Sequence, residues 1–96
     1  MILVNLKRFG INLSSRPLGI STYPIILKEY EPPYELDFRD VNSVGSSFAD
    51  EVVANLAKLN GGKIVVHNCK NVVLKCLNDV AEEHKFELIV DYTECD

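Results

Sequence analysis

The sequence predicts an α/β domain built on a mostly parallel sheet, and three observations carry that expectation. Short β-branched or alternating segments take turns with longer stretches whose apolar residues recur at helical spacing. Turn-forming residues (Gly10, the "EPP" at 31–33, Gly45 and the "NGG" at 60–62) separate them. The chain of 96 residues has room for one core and no second domain. Strands alternating with helices at this spacing imply right-handed crossovers, giving about five strands and three helices in the order β-β-α-β-α-β-α-β, with helices laid against the sheet.

Taken in order, residues 2–8 carry Ile2, Leu3, Val4 and Leu6 and stop at Gly10, so a first strand turning through a hairpin into "INLS" is expected. In "SSRPLGISTYPIILKEY", Pro17 and Gly19 suggest a loop. Ser21 then caps a helix over about 22–30 that carries Pro24 in its first turn, where a missing N–H has no intrahelical partner to lose. The prolines at 32 and 33 end it. "YELDFRDV" sets Leu36 and Phe38 against Glu35, Asp37 and Arg39, a period of two that describes a strand with one buried face and points Asp37 away from the Phe38 side. From Ser47 onward Phe48, Ala49, Val52, Val53, Leu56 and Leu59 form the stripe of an amphipathic helix over 47–59. "KIVVH" at 63–67 is a short buried strand. "NVVLKCLNDVAEEH" at 71–84 is a second amphipathic helix with Val73, Leu77 and Val80 on one face, and "FELIVDY" a last strand over 86–91. Phe48, Val52, Leu56, Val73 and Leu77 are expected core, and residues 93–96 a frayed tail to a single domain spanning 1–96.

Composition removes several classes of function. Ten basic against 14 acidic residues leave a net charge of -4, and the cations are scattered singly, so nucleic acid is not an expected partner. No stretch approaches the roughly 20 apolar residues of a membrane helix, and "MILVNLKRFG" has neither a basic leader nor a long apolar run, so neither a membrane nor a secretory route is expected. Cysteines at 69, 76 and 95 are odd in number and lack CxxC spacing, which argues against a disulfide framework and a zinc site and for a reducing cytoplasm. "VGSSF" is not a nucleophile elbow, and "NGGK" is not a phosphate-binding loop. No cofactor or metal is called for. His67 and Cys69 read as a packed histidine and a buried thiol, and His84 as a partner for the last carbonyls of its helix.

The chemistry concentrates in "VNSVGSSFADEV", residues 41–52, where a strand end meets a helix start. In parallel sheets the carboxyl ends of the strands are where ligands and partners gather. Ser47 is placed to cap the helix, with Asp50 three residues on in the second position of a capping box. Arg16, just before the first helix, is a candidate to pair with Asp37 or to bind an anion at the strand tips.

"LDFRDVNSVGSSFADEV", with "SSR" upstream, resembles the STAS-like domains, whose signature is a strand ending L-D-F, a short turn, and F-A-D-E opening a helix. The likeness runs from about Leu13 to Asp91 and is good on Leu36, Asp37, Phe38, Val41, Phe48, Ala49, Asp50 and Glu51. Those domains are in turn similar to the STAS fold of bacterial anti-sigma-factor antagonists, which bind a kinase-like partner and are switched by phosphorylation of a serine at this helix start. The resemblance implies a non-enzymatic regulatory module whose partner is a histidine-kinase-like ATPase. It implies Ser47 as phospho-acceptor with Ser46 beside it, and a contact surface drawn from Arg16, Asn42, Ser43, Gly45, Ser46, Ser47, Asp50 and Glu51. In the antagonists an Asp commonly precedes the serines and a Gly follows them; here Gly45 precedes and Phe48 follows. Two alternatives stay open: a nucleotide or anion sensor at the same strand tips, using Arg16 and free helix N–H groups, and an enzyme using Asp37, Asp50 or Glu51.

Overall fold

The computed structural model describes residues 3–91; the expected tail at 93–96 and the first residue of the expected opening strand lie outside them. The elements run β1 (Val4–Asn5), a 3-10 turn (Leu6–Phe9), β2 (Asn12–Leu13), α1 (Arg16–Glu29), β3 (Glu35–Asp37), β4 (Ser43–Val44), α2 (Ser46–Glu51), α3 (Val53–Leu59), β5 (Lys63–His67), α4 (Asn71–His84) and β6 (Glu87–Asp91). The main sheet has the order β1-β3-β5-β6, and every pairing in it is parallel. A second, two-stranded sheet pairs β2 with β4, also in parallel.

The register explains the core. Val4, Leu36, Val66 and Val90 stand opposite one another across the four strands, and with Phe38 and Ile64 they meet the apolar stripes of the helices. Phe48, Val52, Leu56, Val73 and Leu77, the residues expected to be core, are all fully buried. The β-branched run of β5 and the 3.6-residue period of α4 thus produce the elements their patterns predict, and α4 ends after His84 with Lys85 in a left-handed conformation. "NGG" closes α3 as expected: Gly61 and Gly62 have φ of 78° and 94°, a region open to glycine.

Three expectations fail. No N-terminal hairpin forms, because β1 pairs with β3 and β2 with β4, placing the two short strands in different sheets. At the end of β1 Asn5 accepts a hydrogen bond from the Lys7 N–H and starts a 3-10 turn that buries Leu6, so of the expected strand Val4 lies in β1 while Leu6 belongs to the turn. The first helix begins at Arg16, six residues before the expected start at 22: Ser15 accepts from the Leu18 N–H at 3.2 Å, and it is Pro17 that occupies the first turn. Pro24 lies inside α1, tolerated because Gly19, Thr22 and Ile26 hold the helix by one buried face. Finally, the helix expected over 47–59 starts at Ser46 and is divided at Val52, which has φ -103° and ψ -62°. The Val52 N–H still bonds to Phe48 and its carbonyl to Leu56, so α2 and α3 form one bent helical run.

Candidate functional site

The segment that carries the serine pair is positioned by a short strand that alternation could not reveal. Asn42 and Ser43 both donate backbone N–H bonds to the Ile11 carbonyl, the Gly45 N–H donates to Leu13, and the Ser43 hydroxyl donates to the Asn12 side chain at 2.8 Å. Residues 11–16 are therefore zipped alongside 42–47, which brings "SSR" and "GSS" side by side at the starts of α1 and α2. From the other flank Lys70, at the start of α4, bonds the Asn42 side chain. Ile11, whose carbonyl takes the Asn42 and Ser43 N–H groups, and Val72, two residues on from Lys70, are exposed apolar side chains.

Gly45 sets the register of α2. A Cβ there would lie 3.0 Å from the Cα, Cβ and carbonyl oxygen of Ser14, so a capping side chain does not fit at this point. The helix starts directly after the glycine, in extended conformation, and its carbonyl accepts the first bond, from Ala49. Ser46 and Ser47 are consequently the first two residues inside the helix, and no side chain caps it. The expected capping box of Ser47 with Asp50 is absent for this reason. Ser46 is exposed and Ser47 half-buried.

Asp50 and Glu51, one turn on, are held by other partners. Arg16 directs one guanidinium nitrogen to each carboxylate, both at 3.4 Å; pairing with Asp37, one of the two alternatives read for it, does not form. Asp50 also takes the imidazole of His84 at 2.9 Å from the far end of α4, which is thereby engaged by a carboxylate in place of its own helix carbonyls. Asp37 closes the loop after β3, accepting from the Arg39 N–H and the Asn68 amide, each at 2.9 Å.

His67 departs from the expected packed histidine. On the sheet face its ring nitrogens meet Glu35 at 2.7 Å and Asp91 at 3.0 Å, so it links β3, β5 and β6. Cys69 is the buried thiol expected, while Cys76 is half-buried with its thiol pushed above the ordinary value, first by burial and then by the Asp79 and Asp50 carboxylates. A depression of ≈ 580 Å³ lined by Val4 and residues 28–34 lies at the amino end of β3, opposite the end that leads to Ser46. No described helix is long and apolar enough to cross a membrane.

Some of these positions carry a local sequence signal and others carry none. Ser15, three residues before Leu18 and followed shortly by Pro17, had the makings of a helix cap. The contacts of Arg16 and His84 with Asp50 join positions 34 residues apart and left no mark in the sequence.

A family model described as a STAS-like domain of unknown function matches residues 23–74, from the middle of α1 to the first turn of α4. The matched stretch contains the serine pair, Asp50 and Glu51; Arg16 and β6, within the likeness read from the sequence, fall outside it. No curated protein and no solved structure matches the chain.

Proposed function

Because the chain belongs to the STAS-like family, we propose that it is a non-enzymatic regulatory module that binds a protein partner through residues 42–47 and their neighbours. Phosphorylation on the Ser46–Ser47 pair weakens that binding. The partner class is a histidine-kinase-like ATPase, met in the cytoplasm. One observation carries the proposal: a serine pair at a helix start forms no capping bond, so the fold does not use its hydroxyls there, and Ser46 is exposed.

The surroundings support it. Asn42 with Lys70 bonded to it, exposed Ile11 alongside, and exposed Val72 two residues on from Lys70 give the neighbourhood of the serine segment a mixed polar and apolar character, the composition of a modest protein-binding patch. A phosphate would add about -1.5 to -2 charges at a helix start, where the backbone N–H groups favour anions. The nearest acidic residues on the same helix, Asp50 and Glu51, are already paired with Arg16, which lessens their opposition. The modification thus alters the sign of the surface more than the stability of the fold. The same pairing engages the guanidinium that an anion sensor would need.

The test is site-directed photo-cross-linking in lysate of the native host, with the reactive group at position 42 or 72 and, as a control, at position 28 beside the opposite depression. The proposal expects one protein adduct shared by 42 and 72 and missing at 28. Equal labelling at all three positions, or labelling at 28 alone, overturns it.

A further inference from the structure

Asp50, Glu83 and His84 converge from α2 and the end of α4 so that one ligand atom from each lies within 4.8 Å of the other two. We infer that these three side chains form a binding site for a divalent cation of the zinc class, independent of the partner-binding role argued above.

The donor set selects the class of ion. One imidazole nitrogen with two carboxylate oxygens suits zinc and its neighbours in the transition series, whereas magnesium and calcium take oxygen ligands. Three protein ligands also leave a fourth position for water.

The geometry is already close to what binding requires. Ligand atoms about 2.0–2.1 Å from a tetrahedral zinc stand roughly 3.4 Å apart, so the 2.9 Å pair of His84 and Asp50 needs to open slightly and the remaining separations to close by up to about 1.4 Å. Glu83 is exposed and free of the core, so its side chain can swing that far. Arg16 holds the second oxygen of Asp50, a contact that orients a carboxylate ligand from behind.

Charge favours a cation as well. Asp50, Glu51 and Glu83 bring three carboxylates to this corner, against the guanidinium of Arg16 and the ammonium of Lys85, which shares a surface depression with Glu83. A bound ion would staple α2 to the end of α4, two elements that otherwise meet here through the His84–Asp50 bond.

The experiment is calorimetric titration of zinc chloride into the full chain, repeated with Glu83→Gln, His84→Gln, Glu82→Gln and His67→Gln, each checked for folding by circular dichroism. The expected result is one ion per chain, with affinity reduced at least about tenfold in Glu83→Gln and His84→Gln and unchanged in the other two variants. Cobalt bound in place of zinc is expected to lack a thiolate charge-transfer band, because no cysteine is a ligand. If His84→Gln fails to fold, Glu83→Gln decides, since an exposed carboxylate can be neutralised without disturbing the core. Absence of binding, binding unaffected by Glu83→Gln, an equal loss in Glu82→Gln or His67→Gln, or a thiolate band overturns the site and leaves a His–Asp hydrogen bond only.

Discussion

Gly19→Ala should destabilise the chain, although glycine to alanine inside a helix ordinarily stabilises it. In an exposed helix the change gains about 0.8–1 kcal/mol from propensity. At position 19, however, α1 crosses α2 so closely that a new Cβ would lie 2.9 Å from the Glu51 Cβ, 3.3 Å from the Phe48 carbonyl oxygen and 3.4 Å from the Glu51 Cγ. The nearest obstacle is rooted in the other helix backbone and cannot rotate away, so the helices must separate. Such overpacking costs about 1–3 kcal/mol, which leaves a net loss of roughly 0–2 kcal/mol, and about 1 kcal/mol as the central value. A urea melt should show a lower midpoint at unchanged slope, with Tm lower by about 4–8 °C per kcal/mol. The same contact can be interrogated by a double-mutant cycle. Glu51→Gly removes the opposing Cβ, so Gly19→Ala should be less harmful, or favourable, in that background. A stabilised Gly19→Ala in the wild-type background, or an additive cycle, would refute the close crossing that sets Arg16 beside Asp50 and Glu51.

Other outcomes follow from the packing. Leu56→Ala should cost about 2–5 kcal/mol, since Leu56 is completely buried under the sheet; a loss below about 1 kcal/mol by urea melt would mean α3 is packed on another face. Asn60 receives the Tyr34 N–H at 2.8 Å and donates to the Tyr34 carbonyl at 2.7 Å, clasping the end of α3 to the start of β3. Asn60→Ala should therefore cost about 1–3 kcal/mol, and Asn60→Asp, which loses the donor, should not restore it. Burial raises the Cys76 thiol above its ordinary value, so at pH 8 iodoacetamide should modify it more slowly in the folded chain than in urea, read by peptide mass spectrometry. The folded chain holds that proton more tightly than the unfolded chain does, so this group's contribution to stability is present below the ordinary thiol value and is lost as the pH rises past it. Equal rates folded and unfolded would contradict the burial.

The sequence made the central part of the fold legible where period and length agreed. β5 and α4 have the bounds their patterns predict, and the α2–α3 run is displaced by one residue, because burial of an apolar stripe dictates where such elements lie. The edges were harder. β4 is two residues long and owes its existence to pairing with a segment 31 residues away, which no local pattern encodes. The N-terminal region was legible only in part: Val4 lies in β1, but Leu6, which continues the same alternation, falls in a 3-10 turn started by the Asn5 side chain. At the candidate site the types and spacing of Gly45, Ser46 and Ser47 mark a helix start, and the helix does start there. The role of the glycine was not legible, since it is the backbone of Ser14 that requires the missing side chain. The partners of Asp50 were equally hidden, because helix crossing and not sequence distance brings Arg16 and His84 to it.

The most direct test of the central claim pairs stability with partner affinity at the two serines. The variants are Ser46→Asp, Ser47→Asp, Ser46→Ala and Ser47→Ala, each measured by denaturant melt and by binding of the partner captured at position 42. With no capping bond to lose, all four should stay within about 0.5 kcal/mol of wild type in stability. The alanine variants should bind as wild type does. At least one aspartate variant should bind about tenfold more weakly, a change of about 1.4 kcal/mol. Wild-type affinity in both aspartate variants, at unchanged stability, would contradict the claim that this surface is a phosphorylation-controlled contact.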